Sequence, residues 1–167
     1  MQLVLSRALL ALYLLVLIWL VLFKFSFNLS TALDHQTGLN LIPFAASSSI
    51  NGGINFREII YNCIFFIPLG LLLSVNFKKI EFKWKFSLII VLSLVAEIVQ
   101  YIFAIGASDI TDLITNALGG FLGLVVYDLS KRFVNNKNLD RVIISIGIVL
   151  FLLFIANVIR LLLGHMR

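Results

Sequence analysis

Glu97-Ile-Val-Gln100 and Asp109-Ile-Thr-Asp112-Leu-Ile-Thr-Asn116 interrupt two apolar runs, each about as long as a membrane-spanning helix. A carboxylate deep in hydrocarbon costs roughly 3 kcal/mol on insertion scales and more by other measures, so it persists where it is paired, hydrated or functional. The surrounding chain has 167 residues, 61% of them hydrophobic, and a mean hydropathy of +1.08. A soluble globular chain is about 45–50% apolar. The excess points to an integral membrane protein.

With 2 prolines and no low-complexity run, the chain offers no obvious linker, and a single membrane domain over residues 1–167 is expected. A hydrocarbon core of roughly 30 Å takes about 20 helical residues to cross. Five segments meet that length or nearly so: Leu3–Phe23, Phe56–Val75, Phe86–Ile105, Ile110–Leu129 and Val142–Leu163. The expected fold is all-α, a polytopic helix bundle with about five transmembrane helices. The first apolar run is longer than the about 7–15 residues of a secretory signal and lacks a small-residue cleavage site, so it reads as an uncleaved span. Cys63 cannot form an internal disulfide and reads as a small packing residue within an apolar run.

Lysine and arginine set the expected orientation. Lys78, Lys79, Lys83 and Lys85 lie in one connection, and Lys131, Arg132, Lys137 and Arg141 in another, whereas Ala104–Asp109 has no basic residue. Both basic loops and the N-terminus are thus expected in the cytoplasm, against the weaker vote of Arg160 and Arg167 at the other end. The net charge of +5 follows from this loop pattern and gives no reason to expect nucleic-acid binding.

The external surface then comprises the connection Lys24–Asn55 and the tight turn after span three. The first contains Leu39-Asn40-Leu-Ile-Pro43-Phe44 followed by Ser47-Ser-Ser-Ile-Asn-Gly-Gly53, which suits an interfacial or re-entrant element. His35 and His165 fall in external segments and are assigned no role. Span two opens with Arg57-Glu58, which can cap its end in the interface. It carries Asn62, a proline expected to kink it at Pro68, and Gly70, where another backbone can approach.

With Gly106 as the tip of the turn, Gln100 and Asp112 each lie six residues away, roughly 9 Å down. Glu97 and Asn116 lie nine and ten residues away, roughly 14 Å down. Two polar layers are therefore expected, Gln100 with Asp112 and Glu97 with Asn116, with Asn62 in the upper one. Ser93, Glu97, Gln100 and Tyr101 share one helix side, and Asp109, Asp112, Asn116, Gly119/Gly120 and Gly123 share another. The latter begins polar and ends in Gly119-x-x-x-Gly123, a spacing for close helix contact that permits self-association without demanding it. Together the two stripes suggest an outward-facing funnel closed at its base. Asp109 reads mainly as a helix N-cap, and Asp112 either as a first-turn acid or as a cavity-facing group. Glu97, in mid-span, has no capping explanation. It is either a protonated acid bonded to Gln100 or Asn116, or the functional centre.

The ordered set Asn40-Leu-Ile-Pro43-Phe44, Asn62-x-x-x-Phe66-x-Pro68-x-Gly70, Glu97-x-x-Gln100 and Asp109-x-x-Asp112-x-x-x-Asn116-x-x-Gly119 resembles the VanZ-like family of bacterial membrane proteins, over roughly residues 35 to 130. Many members carry an arginine just before the first aspartate of the last motif, where this chain has Gly106-Ala107-Ser108. If that arginine pairs with acids elsewhere, Arg57 must replace it here or the place is unfilled. The resemblance implies a multi-pass protein of the bacterial, Gram-positive cell membrane, linked to reduced susceptibility to glycopeptide antibiotics, teicoplanin in particular.

Three functions compete. A binding protein would engage a membrane amphiphile, either a lipid-linked cell-wall precursor or the acyl-bearing antibiotic. An enzyme acting on a lipid or envelope glycoconjugate would use Glu97, Asp112 and Asp109 as acids and bases or as oxygen ligands to a cation. Against it, no nucleophile elbow, paired-histidine zinc helix or phosphate-cradling glycine loop is present. No cofactor or metal centre is expected. A proton- or ion-coupled transporter ranks last, since five spans without an internal repeat would require an oligomer.

Overall fold

A computed structural model describes residues 2–23, 39–44, 56–103, 105 and 108–165, with side chains as far as residue 160. His35, Ser47–Gly53, the turn tip at Gly106 and the side chain of His165 lie outside the described residues. Among the described residues five helices follow in order: α1 (Gln2–Leu22), α2 (Phe56–Asn76), α3 (Phe82–Phe103), α4 (Ile110–Ser130) and α5 (Asn136–His165). All five are long and apolar enough to cross a membrane. Two short strands, β1 (Leu39–Asn40) and β2 (Ser108–Asp109), pair in parallel, Leu39 with Ser108 and Asn40 with Asp109.

The spans expected from hydropathy are all present, but α3 and α5 begin earlier than their apolar runs. Helix formation needs backbone hydrogen bonds and a cap, not apolarity. Lys83 and Lys85 therefore continue α3 beyond its apolar part, and Asn135 starts α5 by accepting from the Lys137 amide at 3.0 Å. Pro68 sits inside α2, which stays one helix through it. Nearby, the Phe65 carbonyl accepts a hydrogen bond from Tyr13 Oη of α1.

The tightest contact in the bundle is between α2 and α4. A Cβ placed on Gly119 would lie 2.0 Å from the Cys63 carbonyl oxygen, and one on Gly123 2.1 Å from that of Ile67. From the other side, a Cβ on Gly70 would lie 2.3 Å from the Gly120 carbonyl oxygen. The glycine stripe of span four is thus consumed within the chain, where van der Waals contact between backbones replaces the missing hydrophobic drive between helices in lipid. Below it, Phe66, Leu69, Leu72, Leu73, Ile89 and Leu124 form the core with Leu9 and Leu17 of α1. Helix α5 is peripheral: 6% of its apolar segment is buried, against 50% for α4.

A polar knot fastens the end of the bundle that carries the basic loops. Asp140 accepts from Tyr127 Oη at 2.9 Å and pairs with Lys78, joining the ends of α2 and α4 to the start of α5. Ser6 Oγ donates to Asn76 Oδ1 at 2.9 Å, tying α1 to α2. Tyr127→Phe removes one bond and leaves the Asp140–Lys78 pair, so the expected loss is about 1 kcal/mol. A modest fall in the thermal midpoint of the detergent-solubilised protein checks this.

Candidate functional site

The polar residues gather at the opposite end, where α4 begins. Asp109 is the N-cap of α4, with φ −131° and ψ 125°, and its Oδ1 accepts from the Thr111 amide at 2.8 Å. Its Oδ2 accepts from Asn40 Nδ2 at 3.1 Å, beside the β1–β2 pair. One aspartate therefore starts a helix and holds the first connection against it.

Glu97 reaches the same point from α3. Its Oε2 accepts from Ser108 Oγ and from the Asp109 amide, both at 2.9 Å, and the residue is 5% exposed. The mid-span acid is thus an anchor for the chain entering α4, where the helix dipole favours negative charge. This differs from the expected bonds to Gln100 or Asn116. Asn116 instead donates to Ser93 Oγ at 2.9 Å, and Gln100 Nε2 donates to the Val21 and Leu22 carbonyls at 2.9 and 3.4 Å. Those carbonyls belong to the last turn of α1, which has no intrahelical donors for them.

The two-layer pairing is therefore displaced by about one helical turn between α3 and α4. The cause lies in the connection. Ser108 and Asp109 are extended, advancing about 3.3 Å per residue rather than the 1.5 Å of a helix, so α4 starts deeper than a symmetrical turn would place it. Asn62 sits at the level expected for it, donating to Asp112 Oδ1 at 2.7 Å across the α2–α4 seam. Arg57 is exposed and lies over the Tyr61 ring, 5.9 Å from its centroid, so among the described residues it does not stand in for the family's arginine beside the acids. Among the described residues, Gln100 Oε1 and Asn116 Oδ1 are buried without a hydrogen-bond partner.

The first connection docks on this assembly. After β1, Asn40 Oδ1 accepts from the Ile42 amide at 3.1 Å, and the Phe44 amide donates to Thr111 Oγ1 at 3.0 Å. The turn at Pro43 leaves Phe44 at φ 57°, a left-handed conformation uncommon for a bulky residue. Leu41, Ile42 and Phe44 remain exposed. Since β1 runs parallel to β2, it enters the end of the bundle in the direction that β2 leads into α4.

Between α3, α4 and β1 lies a cavity of about 180 Å³. Its surface is almost wholly apolar: Leu39, Leu41, Leu94, Ile98, Tyr101, Ile110 and Leu113 make the walls, and Glu97, Ser108 and Asp109 border it with polar groups turned to one another. Asn62 and Asp112 do not line it. The expected polar funnel is thus an apolar groove backed by the buried Glu97–Ser108–Asp109 cluster, while Asn62 and Asp112 close on each other along the α2–α4 seam. Such a groove can hold an apolar chain. Ser108 and Thr111 were not anticipated as site residues, although a Ser-Asp pair directly before an apolar helical run is a capping signal for both.

A family model described as VanZ/LLP1 matches residues 10–131, a range that holds every residue of this site. The chain belongs to the VanZ/LLP1 family. A curated relative, Protein VanZ of Enterococcus faecium, is 58% identical over 153 residues, covering 91% of each chain. No solved structure matches. The VanZ/LLP1 match ends before the peripheral helix α5 begins, so the family region coincides with the tightly packed part of the bundle. Of the residues that carried the resemblance or lay beside it, Asn40 and Pro43 lie in the docked first connection, Gly70, Gly119 and Gly123 in the α2–α4 seam, and Pro68 within α2. This member of the family is a multi-pass membrane protein.

Proposed function

We propose that this VanZ/LLP1 protein acts in the cell membrane of a Gram-positive bacterium and lowers susceptibility to teicoplanin by binding an amphiphile. The bound molecule is a lipid-linked cell-wall precursor or the acyl-bearing antibiotic itself, held at an outward-facing site. One observation carries the reading: the cavity of about 180 Å³ has apolar walls and lies directly against the buried Glu97–Ser108–Asp109 cluster. An acyl or isoprenoid chain lies along Leu94, Ile98 and Leu113, and the head group reaches Glu97 and Asp109 by displacing the bonds that now join them. The positive-inside pattern of the basic loops supports an outward-facing site.

The test is expression of wild type and Glu97→Gln in a susceptible Gram-positive host, with teicoplanin and vancomycin susceptibilities measured. Glutamine keeps an oxygen acceptor for Ser108 and the Asp109 amide while removing the charge. Loss of a charge-assisted bond weakens binding about ten-fold, so the variant is expected to lose most of the protection against teicoplanin while accumulating normally. The proposal fails if wild type protects against neither drug, or if Glu97→Gln protects as well as wild type.

A further inference from the structure

At the other end of the bundle, a cavity of about 250 Å³ opens between the first turns of α1, the end of α2 and the start of α5. Lys78 and Lys137 line it together with Asp140, and Leu3 and Ile144 supply apolar wall. The wall is held in place: Ser6 and Asn76 join α1 to α2, and Tyr127, Asp140 and Lys78 join α2, α4 and α5. Asp140 is 8% exposed and its charge is met by Lys78 and Tyr127. Among the described residues, Lys137 has no ion-pair partner and is exposed. Two ammonium groups against one carboxylate leave the cavity one positive charge.

A free small anion needs only that charge. The apolar wall adds a second requirement, because Leu3 is 53% exposed at the place where a lipid's first carbons would lie. Basic pockets between transmembrane helices at the positively charged face of a membrane protein suit anionic head groups, and each lysine there contributes about 1 kcal/mol. We infer that this cavity binds the phosphate head group of an anionic membrane lipid, with Lys137 as the free cationic contact and Lys78 as the second.

The test uses the full chain in neutral detergent, with lipid retention read by native mass spectrometry. Phosphatidylglycerol is expected to be retained in preference to phosphatidylcholine. Lys137→Gln, at an exposed position that leaves the Asp140–Lys78 pair intact, is expected to reduce that retention about five-fold. Arg132→Gln, in the same basic loop but outside the cavity, is expected to leave it unchanged. Equal loss from both variants would mean diffuse attraction to the basic end and overturn the site. Equal retention of phosphatidylcholine overturns the anionic requirement. Complete displacement by equimolar glycerol 3-phosphate overturns a lipid in favour of a soluble phosphate, whereas persistence of the lipid supports the inference.

Discussion

Gly123→Ala is expected to unfold or grossly destabilise the protein, although it adds a single methyl group. That methyl would lie 2.1 Å from the Ile67 carbonyl oxygen and 3.1 Å from the Gly70 Cα. Neither obstacle is the end of a side chain that can rotate away. Both are helical backbone, so relief requires α2 and α4 to separate along their whole seam. Overpacking a core costs about 1–3 kcal/mol where side chains can adjust and more where they cannot. We therefore expect a loss of about 3 kcal/mol or more, and at least as much for Gly119→Ala, whose methyl would lie 2.0 Å from the Cys63 carbonyl oxygen. Gly147→Ala is the internal control. There the added methyl meets Leu9 Cδ2 at 2.9 Å, the far end of a flexible side chain. Alanine also gains up to about 1 kcal/mol over glycine in helix propensity, so the net change should be small. Thermal midpoints by fluorescence-detected gel filtration separate the cases. Equal midpoints for Gly123→Ala and Gly147→Ala would falsify backbone contact as the basis of the seam.

Glu97→Ala is the second large effect, and it separates the structural from the chemical role of this acid. Removal of the carboxyl takes away the acceptor for the Asp109 amide and Ser108 Oγ, both in buried residues. A buried donor stranded in this way costs about 1–3 kcal/mol, and two are affected. The cap of α4 and the β1 strap depend on the same two residues, so the loss should spread to Asn40 and the Phe44–Thr111 contact. Glu97→Ala is thus expected to lower the thermal midpoint and increase proteolytic cutting in the first connection, whereas Glu97→Gln does neither. If alanine and glutamine variants are equally stable and equally protected, Glu97 does not anchor the entrance to α4.

The contrast between these two predictions reflects what each residue's context made legible. The glycines of span four announced a close contact through their spacing, but not its partner. Small residues at that spacing fit another copy of the chain as well as α2, and the choice was made by Cys63, Ile67 and Gly70, more than forty residues upstream. Asp109 was legible as a cap because capping is a local event, decided within two residues by the bond to the Thr111 amide. Glu97 was legible as unusual from its cost in hydrocarbon, yet its partners were misplaced by a turn. Gln100 was assigned to the Asp112 level and instead closes the end of α1. Counting residues from a turn assumes helical rise on both limbs, and two extended residues are enough to break that assumption.

The sequence by itself determined the number of spans, the class of fold and the resemblance carried by the polar motifs, because hydropathy accumulates residue by residue and needs no knowledge of neighbours. It also located the two polar strings as the costly part of the chain. Only the tertiary structure decided that they face different partners. Glu97 holds β2, and Asp109 joins it to β1 beside an apolar cavity, while Asp112 turns away to Asn62 in a seam built on glycine. The physical reason is that helix register and facing depend on the geometry of the connections and on backbone contact between distant segments. Neither is a property of any single stretch of residues.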